Sequence, residues 1–365
     1  MSDVDSRHMR HAIELAKLGW FTTHPNPRVG CVIADGDRVV GEGWHHVAGA
    51  AHAEVLALRQ AGASARGATA YVTLEPHSFH GKTPPCTHAL IDAGVARVVC
   101  GMLDPNPKVQ GEGIRQLQEA GVSTSVGLLE ADARALNLGF DKRMRTGLPR
   151  IIVKVAASLD GRVALSSGES RWITSEEARA DVQRLRASAS AVLTGVGTVI
   201  ADDPRLNVRD PSIDLGPRGL LRVVLDTRLR TPANARMFDA AGPVLIATCE
   251  SSAGEHADGL RRAGAELLEV SADAVRGVDI GQVLRELGRR ECNDVLVEAG
   301  PTLAARFLSL DLCDELIVYY APKLLGHDAK PMFELPRIER LQDGLQFQLS
   351  GAEVIGPDLK VTLVR

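Results

Sequence analysis

The stretch Thr73–Cys86, TLEPHSFHGKTPPC, decides how the first half of the chain is read. It sets an acid, two histidines, prolines and a cysteine within fourteen positions, and His52-Ala53-Glu54 stands upstream of it. Two of these polar residues open helical runs: His52 precedes AEVLALRQAG, and Cys86 leads into THALIDAG. A helix N-terminus carries the positive end of the macrodipole and favours a thiolate placed there. Imidazole nitrogen and thiolate sulfur are the donors a zinc ion takes. Each piece alone is bland. A lone cysteine is most often a small buried hydrophobe, and a histidine at a helix start is usually a surface residue or a cap. The combination at this spacing, beside the TLEP strand end, argues for a metal site.

The pattern resembles the zinc signature of the cytidine-deaminase superfamily, His-x-Glu followed by Pro-Cys and a second Cys. Its Gly-Lys-Thr-Pro-Pro-Cys run is similar to the riboflavin-pathway deaminases. The resemblance implies His52, His77 and Cys86 as zinc ligands and Glu54 as the catalytic proton shuttle. His77 stands where that family carries a Cys. Hydrolytic deamination needs a hydroxide near neutral pH, and zinc lowers the pKa of water to about 7. Such a zinc takes three protein ligands and keeps its fourth place for water. The resemblance further implies a substrate pocket lined by Asn26, His45, Lys82, Asp104 and Asn106, with Lys82 and the Pro-rich loop near the ribose phosphate. Phe79 replaces a His that meets substrate in the family, and the adjacent His80 is the candidate substitute.

A chain of 365 residues suggests two domains or more. Apolar residues make up 45% and charged residues 24%, an ordinary globular balance that supports a sizeable core. Net charge is −4 and the pI about 6.3, so the electrostatic footprint of a nucleic-acid binder is missing. MSDVDSRHMRHAIELAKLGW lacks the apolar centre of a secretory signal, and no stretch approaches 18 apolar residues. Six cysteines at 31, 86, 100, 249, 292 and 313 show no paired spacing, which predicts a cytoplasmic protein without a disulfide framework.

Apolar periodicity predicts a helix over 6–19. Asp35-Gly36 between apolar runs predicts a hairpin. Beyond it come a helix from His52, a strand over 68–74, a helix over 86–93, a strand over 96–101, a further helix, a strand over 123–127 and a helix over 129–138. This alternation predicts helices covering a mixed sheet. DKRMRTGLPR, 141–150, is basic and polar with Gly and Pro, and reads as the domain boundary. A new unit begins with IIVKVAASLDGRVAL, where Lys154 lies inside an apolar strand. A buried Lys is costly unless paired or used. Ser175 is a good N-cap for the helix that follows it. Later strands are expected at 221–226, 243–248, 266–270, 294–298, 315–321 and 359–364. TGVGTV (194–199) and EAGPTL (298–303) each end a strand and open a helix, a geometry that binds phosphate through free N–H groups. Neither holds the full dinucleotide fingerprint, and a plain turn is the simpler reading of each alone.

VKVAASLDGR (153–162), SGESRWIT (167–174), ADDPRLNVR (201–209) and VEAGPTL (297–303) together resemble the riboflavin-pathway reductases, a dihydrofolate-reductase-like fold using NADPH. The expected architecture is therefore α/β: a cytidine-deaminase-like three-layer domain over 1–146, then a dihydrofolate-reductase-like domain over 147–365. The resemblance implies Lys154, Asp202 and Glu298 as catalytic residues. It implies Ser170, Arg186, Leu206, Arg209 and Glu298 on the substrate side. On the cofactor side it implies Ala156, Trp172, Thr198, Asp202, Gly300, Pro301, Thr302, Leu303, Ala304, Ala305 and Arg306. Zinc and NADPH are the expected cofactors and a pyrimidine ribosyl phosphate the expected substrate, in a homo-oligomer that needs neither nucleic acid nor membrane. Two other readings fit parts of the sequence. A nucleic-acid deaminase shares the His-x-Glu chemistry, and a reductase with a merely structural first half would account for His77 and Phe79.

Overall fold

The computed structural model describes residues 2–79, 84–107, 109–275 and 277–365. His80 and Lys82 of the expected substrate pocket lie outside them. The chain divides into two compact units, Met1–Leu148 and Pro149–Arg365.

The first unit runs α1 (Asp3–Lys17), β1 (Gly30–Asp35), β2 (Arg38–Trp44), α2 (Ala53–Ala61), β3 (Thr69–Val72), α3 (Cys86–Ala93), β4 (Arg97–Cys100), α4 (Glu112–Glu119), β5 (Ser123–Val126), α5 (Glu130–Ala135) and α6 (Leu138–Thr146). Its sheet has the order β2-β1-β3-β4-β5, antiparallel around β1 and parallel from β3 onward. Strand side chains alternate between faces, and this builds three layers. Cys31 and Ile33 of β1 pack with Ala53 and Ala57 of α2 and Leu90 of α3. Val32 and Ala34 pack on the other face with Met9, Ala12 and Ala16 of α1. Gly41 and Gly43 let α2 lie hard on β2. A Cβ at either would come within 2.2 Å of the Ala57 carbonyl or 2.7 Å of the Ala53 carbonyl, so the helix that starts at His52 is fixed in depth.

The expected linker over 141–150 is shorter than its composition suggests. α6 continues through Thr146 and is stopped by Gly147 in the left-handed conformation, φ 74°. The helix hides because DKRMRT has no apolar stripe; its support is ionic, Arg134 and Arg145 both reaching Asp141.

The second unit runs β6 (Arg150–Ser158), β7 (Arg162–Ala164), α7 (Glu176–Ser188), β8 (Ala191–Gly195), α8 (Val196–Asp202), β9 (Leu221–Leu225), β10 (Val244–Thr248), α9 (Glu255–Arg262), β11 (Ala265–Glu269), α10 (Ile280–Arg289), β12 (Asp294–Glu298), α11 (Pro301–Ser309), β13 (Glu315–Ala321), β14 (Lys330–Pro331), β15 (Gln348–Ile355) and β16 (Asp358–Val364). Nine strands form one sheet in the order β11-β10-β9-β8-β12-β6-β13-β16-β15, parallel from β11 to β13 and antiparallel beyond. The chain leaves β6, builds outward from β8 to β11, then returns to insert β12 between β8 and β6. Such a reversal opens a crevice at the carboxyl ends of the strands. Ser175 caps α7 as expected, accepting from the Ala178 amide. β15 was not expected; nearly all of it is exposed on both faces, which leaves no alternation to read. Among the described residues no helix is long and apolar enough to cross a membrane.

Candidate active sites

In the first unit the two predicted helix starts meet. His52 occupies the N-cap of α2 and makes no side-chain capping bond there. Its Nδ1 lies 3.1 Å from the Sγ of Cys86, the first residue of α3. The donor atoms of His52, Glu54 and Cys86 all fall within 4.8 Å of one another. His77 is held beside them by the Thr87 amide, which donates to its carbonyl at 3.2 Å. The His77 ring stands 5.4 Å from that of His52, centroid to centroid, and Phe79 packs against it at 4.2 Å. His77 therefore flanks the converging group, and Glu54 completes it.

Across His52 lies His45, edge-on at 5.4 Å. Its Nδ1 faces the Ala51 carbonyl at 3.3 Å and its Nε2 faces Asn26 Nδ2 at 3.0 Å. The consistent tautomer carries the proton on Nδ1 and accepts from Asn26. Burial pushes the His52 imidazolium down to about 4, helped by His45 and His77, and burial lowers His45 as well. Burial also raises the Glu54 carboxyl and, with Glu54 adding to it, the Cys86 thiol. These four groups are all biased toward their neutral forms.

Asp104 and Asn106 sit in the loop after β4, where the Asn106 amide donates to Asp104 Oδ1 at 2.8 Å. Burial raises the Asp104 carboxyl to about 6. The loop is shaped by Glu75, which sequence reasoning left without a role. Buried at the strand end, it accepts from the amides of Asp104, Gly111 and Gly113 at 2.8–3.0 Å. The signal was available: an acid locked before Pro76, paired with a Gly-Glu-Gly run that can offer bare amides. A Cβ at Gly113 would fall 2.2 Å from the Pro76 carbonyl.

In the second unit, sheet register makes the site. Lys154 on β6 is paired with Glu298 on β12. Its Nζ lies 3.2 Å from Glu298 Oε2. Arg186 of α7 grips the same carboxylate with two bonds, Nε to Oε1 at 2.5 Å and Nη2 to Oε2 at 3.0 Å. Burial alone would raise the Glu298 carboxyl, but Arg186 and Lys154 outweigh it and hold it down to about 2. Arg186 also donates to the Asn207 carbonyl at 3.1 Å, tying it to the loop that carries Leu206 and Arg209. Leu206 is buried with φ 49°, and the Arg209 amide donates to Gln183. Burial, then repulsion from Arg186 and Arg205, lowers the Arg209 guanidinium, so this corner is rich in positive charge.

The starts of α8 and α11 lie side by side on adjacent strands; a Cβ at Gly195 would come 3.2 Å from Leu303. Gly300 is the N-cap of α11, Pro301 its first residue, and the space beside Gly300 and Gly197 is open. Thr198 lies on α8 and Asp202 ends it, its carbonyl taking a bond from Arg171. Ala156 is half-buried on β6. Ser170 is half-buried too, while Trp172 is exposed, with the Arg179 guanidinium 4.5 Å over its ring. Thr302 donates to Glu334 at 2.6 Å. Ala304 and Ala305 are buried in the core, and Arg306 is committed to Asp273 and the Val278 carbonyl. The start of α11, beside the open space at Gly300, is the part left for a ligand.

Residues 2–102 match the cytidine and deoxycytidylate deaminase zinc-binding region, and residues 149–361 match the RibD C-terminal domain. The riboflavin biosynthesis protein RibD of Escherichia coli is 48% identical, with 99% of each chain covered. That of Haemophilus influenzae is 44% identical over 99% of this chain and 97% of its own. Among solved structures, Acinetobacter baumannii RibD superposes with a TM-score of 0.91 at 44% identity, covering 99% of this chain and 98% of its own. A diaminohydroxyphosphoribosylaminopyrimidine deaminase/5-amino-6-(5-phosphoribosylamino)uracil reductase from Thermotoga maritima gives 0.86 at 32% identity, with the same coverage. The cofactors are zinc for the deaminase half and NADPH for the reductase half. Two sites of different chemistry on one chain, matched from end to end, make this a member of the RibD family, a bifunctional deaminase and reductase of riboflavin biosynthesis.

Proposed function

We propose that the first unit hydrolyses the amine of 2,5-diamino-6-ribosylamino-4(3H)-pyrimidinone 5′-phosphate and that the second reduces the ribose of the product to a ribityl chain. The observation that carries the reading is the convergence of His52, Glu54 and Cys86 at the starts of two helices. The Thermotoga relative is described by the same pair of activities.

The donor set fits zinc. Imidazole and thiolate suit a borderline-soft ion, and burial beside Glu54 disfavours the Cys86 thiolate until a cation joins it. His52 and Cys86 would hold the ion, with His77 as third ligand from its flanking position. Zinc supplies the Lewis acidity that makes water a nucleophile near neutral pH. Glu54, whose carboxyl burial raises toward the working range, takes the proton of the attacking water and passes it to the departing amine. Asn26 and His45 present a fixed polar edge to the pyrimidine, and Asp104 and Asn106 present another. Lys82 is proposed for the phosphate end, and His80 for the substrate contact that Phe79 does not make.

In the second unit NADPH supplies the hydride. The first turn of α11, Gly300 to Leu303, offers free amides to its phosphates, with Ala156, Trp172, Thr198 and Asp202 along the remainder of the cofactor. Lys154, oriented by Glu298, gives a proton to the sugar oxygen as the adjacent carbon is reduced. Arg186 keeps Glu298 ionised, while Ser170, Leu206 and Arg209 face the substrate, Arg209 suiting its phosphate.

Purified zinc-replete protein should release ammonia from the diaminopyrimidine and oxidise NADPH only when the deaminated product is present. Equal turnover with NADH would remove the cofactor preference. A second reading, reduction without deamination, is favoured by one observation, that His77 stands in the place of a family Cys. Absence of ammonia release in that assay decides for it. We also infer a homo-oligomer, supported by the edge strand β15, which leaves Leu349 67% and Val354 75% exposed. Light scattering tests this. Six cysteines that form no disulfide, five of them buried, support a cytoplasmic setting.

A further inference from the structure

The segment Lys323–Glu334 runs from the turn after β6 to the first turn of α11 and is tied down at both ends. At one end it meets the turn after β6. Asp160 accepts from the Leu325 amide at 3.1 Å and the Gly326 amide at 2.8 Å, and its carboxylate is itself fixed by Ser158 at 2.5 Å. The Leu159 amide donates to the Lys323 carbonyl at 2.9 Å. In the middle, β14 pairs with β7, and the Met332 amide donates to Gly161 at 3.0 Å. At the far end the Glu334 amide donates to the Pro301 carbonyl at 3.3 Å, and its carboxylate takes the Thr302 hydroxyl at 2.6 Å. One side chain also leaves the segment sideways: Lys323 Nζ donates to the Trp172 carbonyl at 3.2 Å.

These contacts have a common geometry. Pro301 and Thr302 form the first turn of α11, and Trp172 belongs to the loop that precedes α7. Both are groups assigned above to the NADPH side, and this inference rests on that assignment. A single segment thus joins two groups of the NADPH side, and its near end is held by the Asp160 carboxylate and by the Leu159–Lys323 backbone bond. An isolated surface turn needs no such span. Bound cofactor gains from walls whose spacing is already set, because less ordering remains to be done on binding.

We propose that the segment Lys323–Glu334 is a strap that presets the NADPH cleft, with Asp160 and Lys323 as positioning residues that touch neither cofactor nor substrate. The strap acts on cofactor affinity and leaves the reacting groups Lys154 and Glu298 alone. Its effect therefore falls on Kd and KM for NADPH, with little on kcat.

The test uses the full chain with zinc bound and compares wild type, Asp160→Asn, Lys323→Met and Trp172→Ala. Hydrogen exchange at the Leu325 and Gly326 amides reports the anchor, and fluorescence titration reports NADPH binding. Asp160→Asn is expected to speed exchange at both amides and to raise Kd and KM for NADPH about tenfold, with kcat within about twofold. Lys323→Met changes an exposed side chain, so the fold survives it, and it should raise both constants about threefold. Ammonia release stays at the wild-type rate in each. Faster exchange with unchanged NADPH affinity overturns the proposal, as does Asp160→Asn with unchanged exchange. A Lys323→Met variant that binds NADPH like wild type overturns it even where Asp160→Asn fails to fold. Trp172→Ala separates the two levels: unchanged NADPH affinity there means the cofactor-side assignment itself is wrong.

Discussion

The two active sites of this chain solve opposite electrostatic problems. In the reductase site one carboxylate, Glu298, sits between the two cations Lys154 and Arg186. The carboxylate's partners are supplied within the fold, with one positive charge to spare, and they hold the carboxyl down to about 2. In the deaminase site four polar groups, His52, His45, Glu54 and Cys86, crowd together with no cation among them, and each is driven toward neutrality. The first is complete as folded protein. The second is a set of donors whose charge balance is supplied from outside. Dependence on metal, response to acid and tolerance of substitution should differ between the units accordingly.

The sharpest break is metal removal. Chelation should lower ammonia release by about 10³ or more, since water without a Lewis acid is a poor nucleophile at neutral pH. NADPH oxidation on the deaminated substrate should not change. Loss of both activities would mean that the reductase site is not self-sufficient. The metal-free first unit should also be sensitive to mild acid. A histidine whose pKa is lowered in the fold contributes stability above its ordinary value near 6.5, lost as pH falls toward about 4, here through His52. Unfolding of the metal-free protein followed from pH 7 to 4, against the zinc-loaded protein, measures this.

Side-chain removal comes next in size. Glu54→Gln keeps shape and removes the proton carrier, so deamination should fall by about 10²–10⁴ with zinc content unchanged. Lys154→Met should lower reduction by about 10² or more while ammonia release continues. If Lys154 were only a structural cation, the methionine would leave reduction intact and could even stabilise β6. Assaying both half-reactions on both variants gives a crossed pattern that misfolding cannot imitate.

Acid should act on the reductase unit later than on the metal-free deaminase unit. Glu298 is held to about 2, below the ordinary 4.5. A depressed carboxyl contributes stability that is full above about pH 4.5 and is lost as pH falls toward 2. Hydrogen exchange of the β6 and β12 amides over that window should quicken in wild type. In Glu298→Gln it should already be faster at pH 6, with a flatter profile, because Arg186 and Lys154 are left unpaired.

How far these sites could be read from sequence depended on how local their geometry is. His52 and Cys86 announce themselves because each opens a helix, and helix starts leave a local trace. Lys154 and Glu298 lie 144 residues apart and are joined by the β6–β12 register. No periodicity carries that register, so family resemblance alone pointed to the pair. Continuous apolar runs mark β6, β12 and β13, which are buried on both faces, but no such run marks β15, whose residues are exposed on both faces. Helix α6 was hidden by its basic composition. Arg306 shows the converse limit: its motif assigns it to the cofactor, whereas its guanidinium is spent on Asp273 and Val278. Glu75 and Asp160 leave little trace in the sequence because the groups they hold across the fold are backbone amides, which no side-chain pattern records.

The finest distinction rests on His77, the one expected ligand that differs from the family pattern. Imidazole reaches further from the backbone than a cysteine Sγ, with Zn–N about 2.0–2.1 Å against about 2.3 Å for Zn–S. In the structure the His77 ring stands 5.4 Å from that of His52, beside the group in which the donors of His52, Glu54 and Cys86 converge. A neutral ring in place of a thiolate also leaves the site one unit more positive. That favours ionisation of water but makes the resulting nucleophile weaker, so the charge effects oppose each other and geometry decides. We expect the wild type to bind one zinc per chain and to deaminate slowly, and His77→Cys to deaminate several-fold faster, about 3–30-fold, with tighter zinc retention. Zinc content and ammonia release on the two proteins settle the matter. A wild type that stays metal-free when zinc is supplied, beside a His77→Cys variant that both binds and deaminates, would show that the natural site has lost its reaction. The reductase site, whose carboxylate finds its partners within the fold, would then be the only working half of the pair.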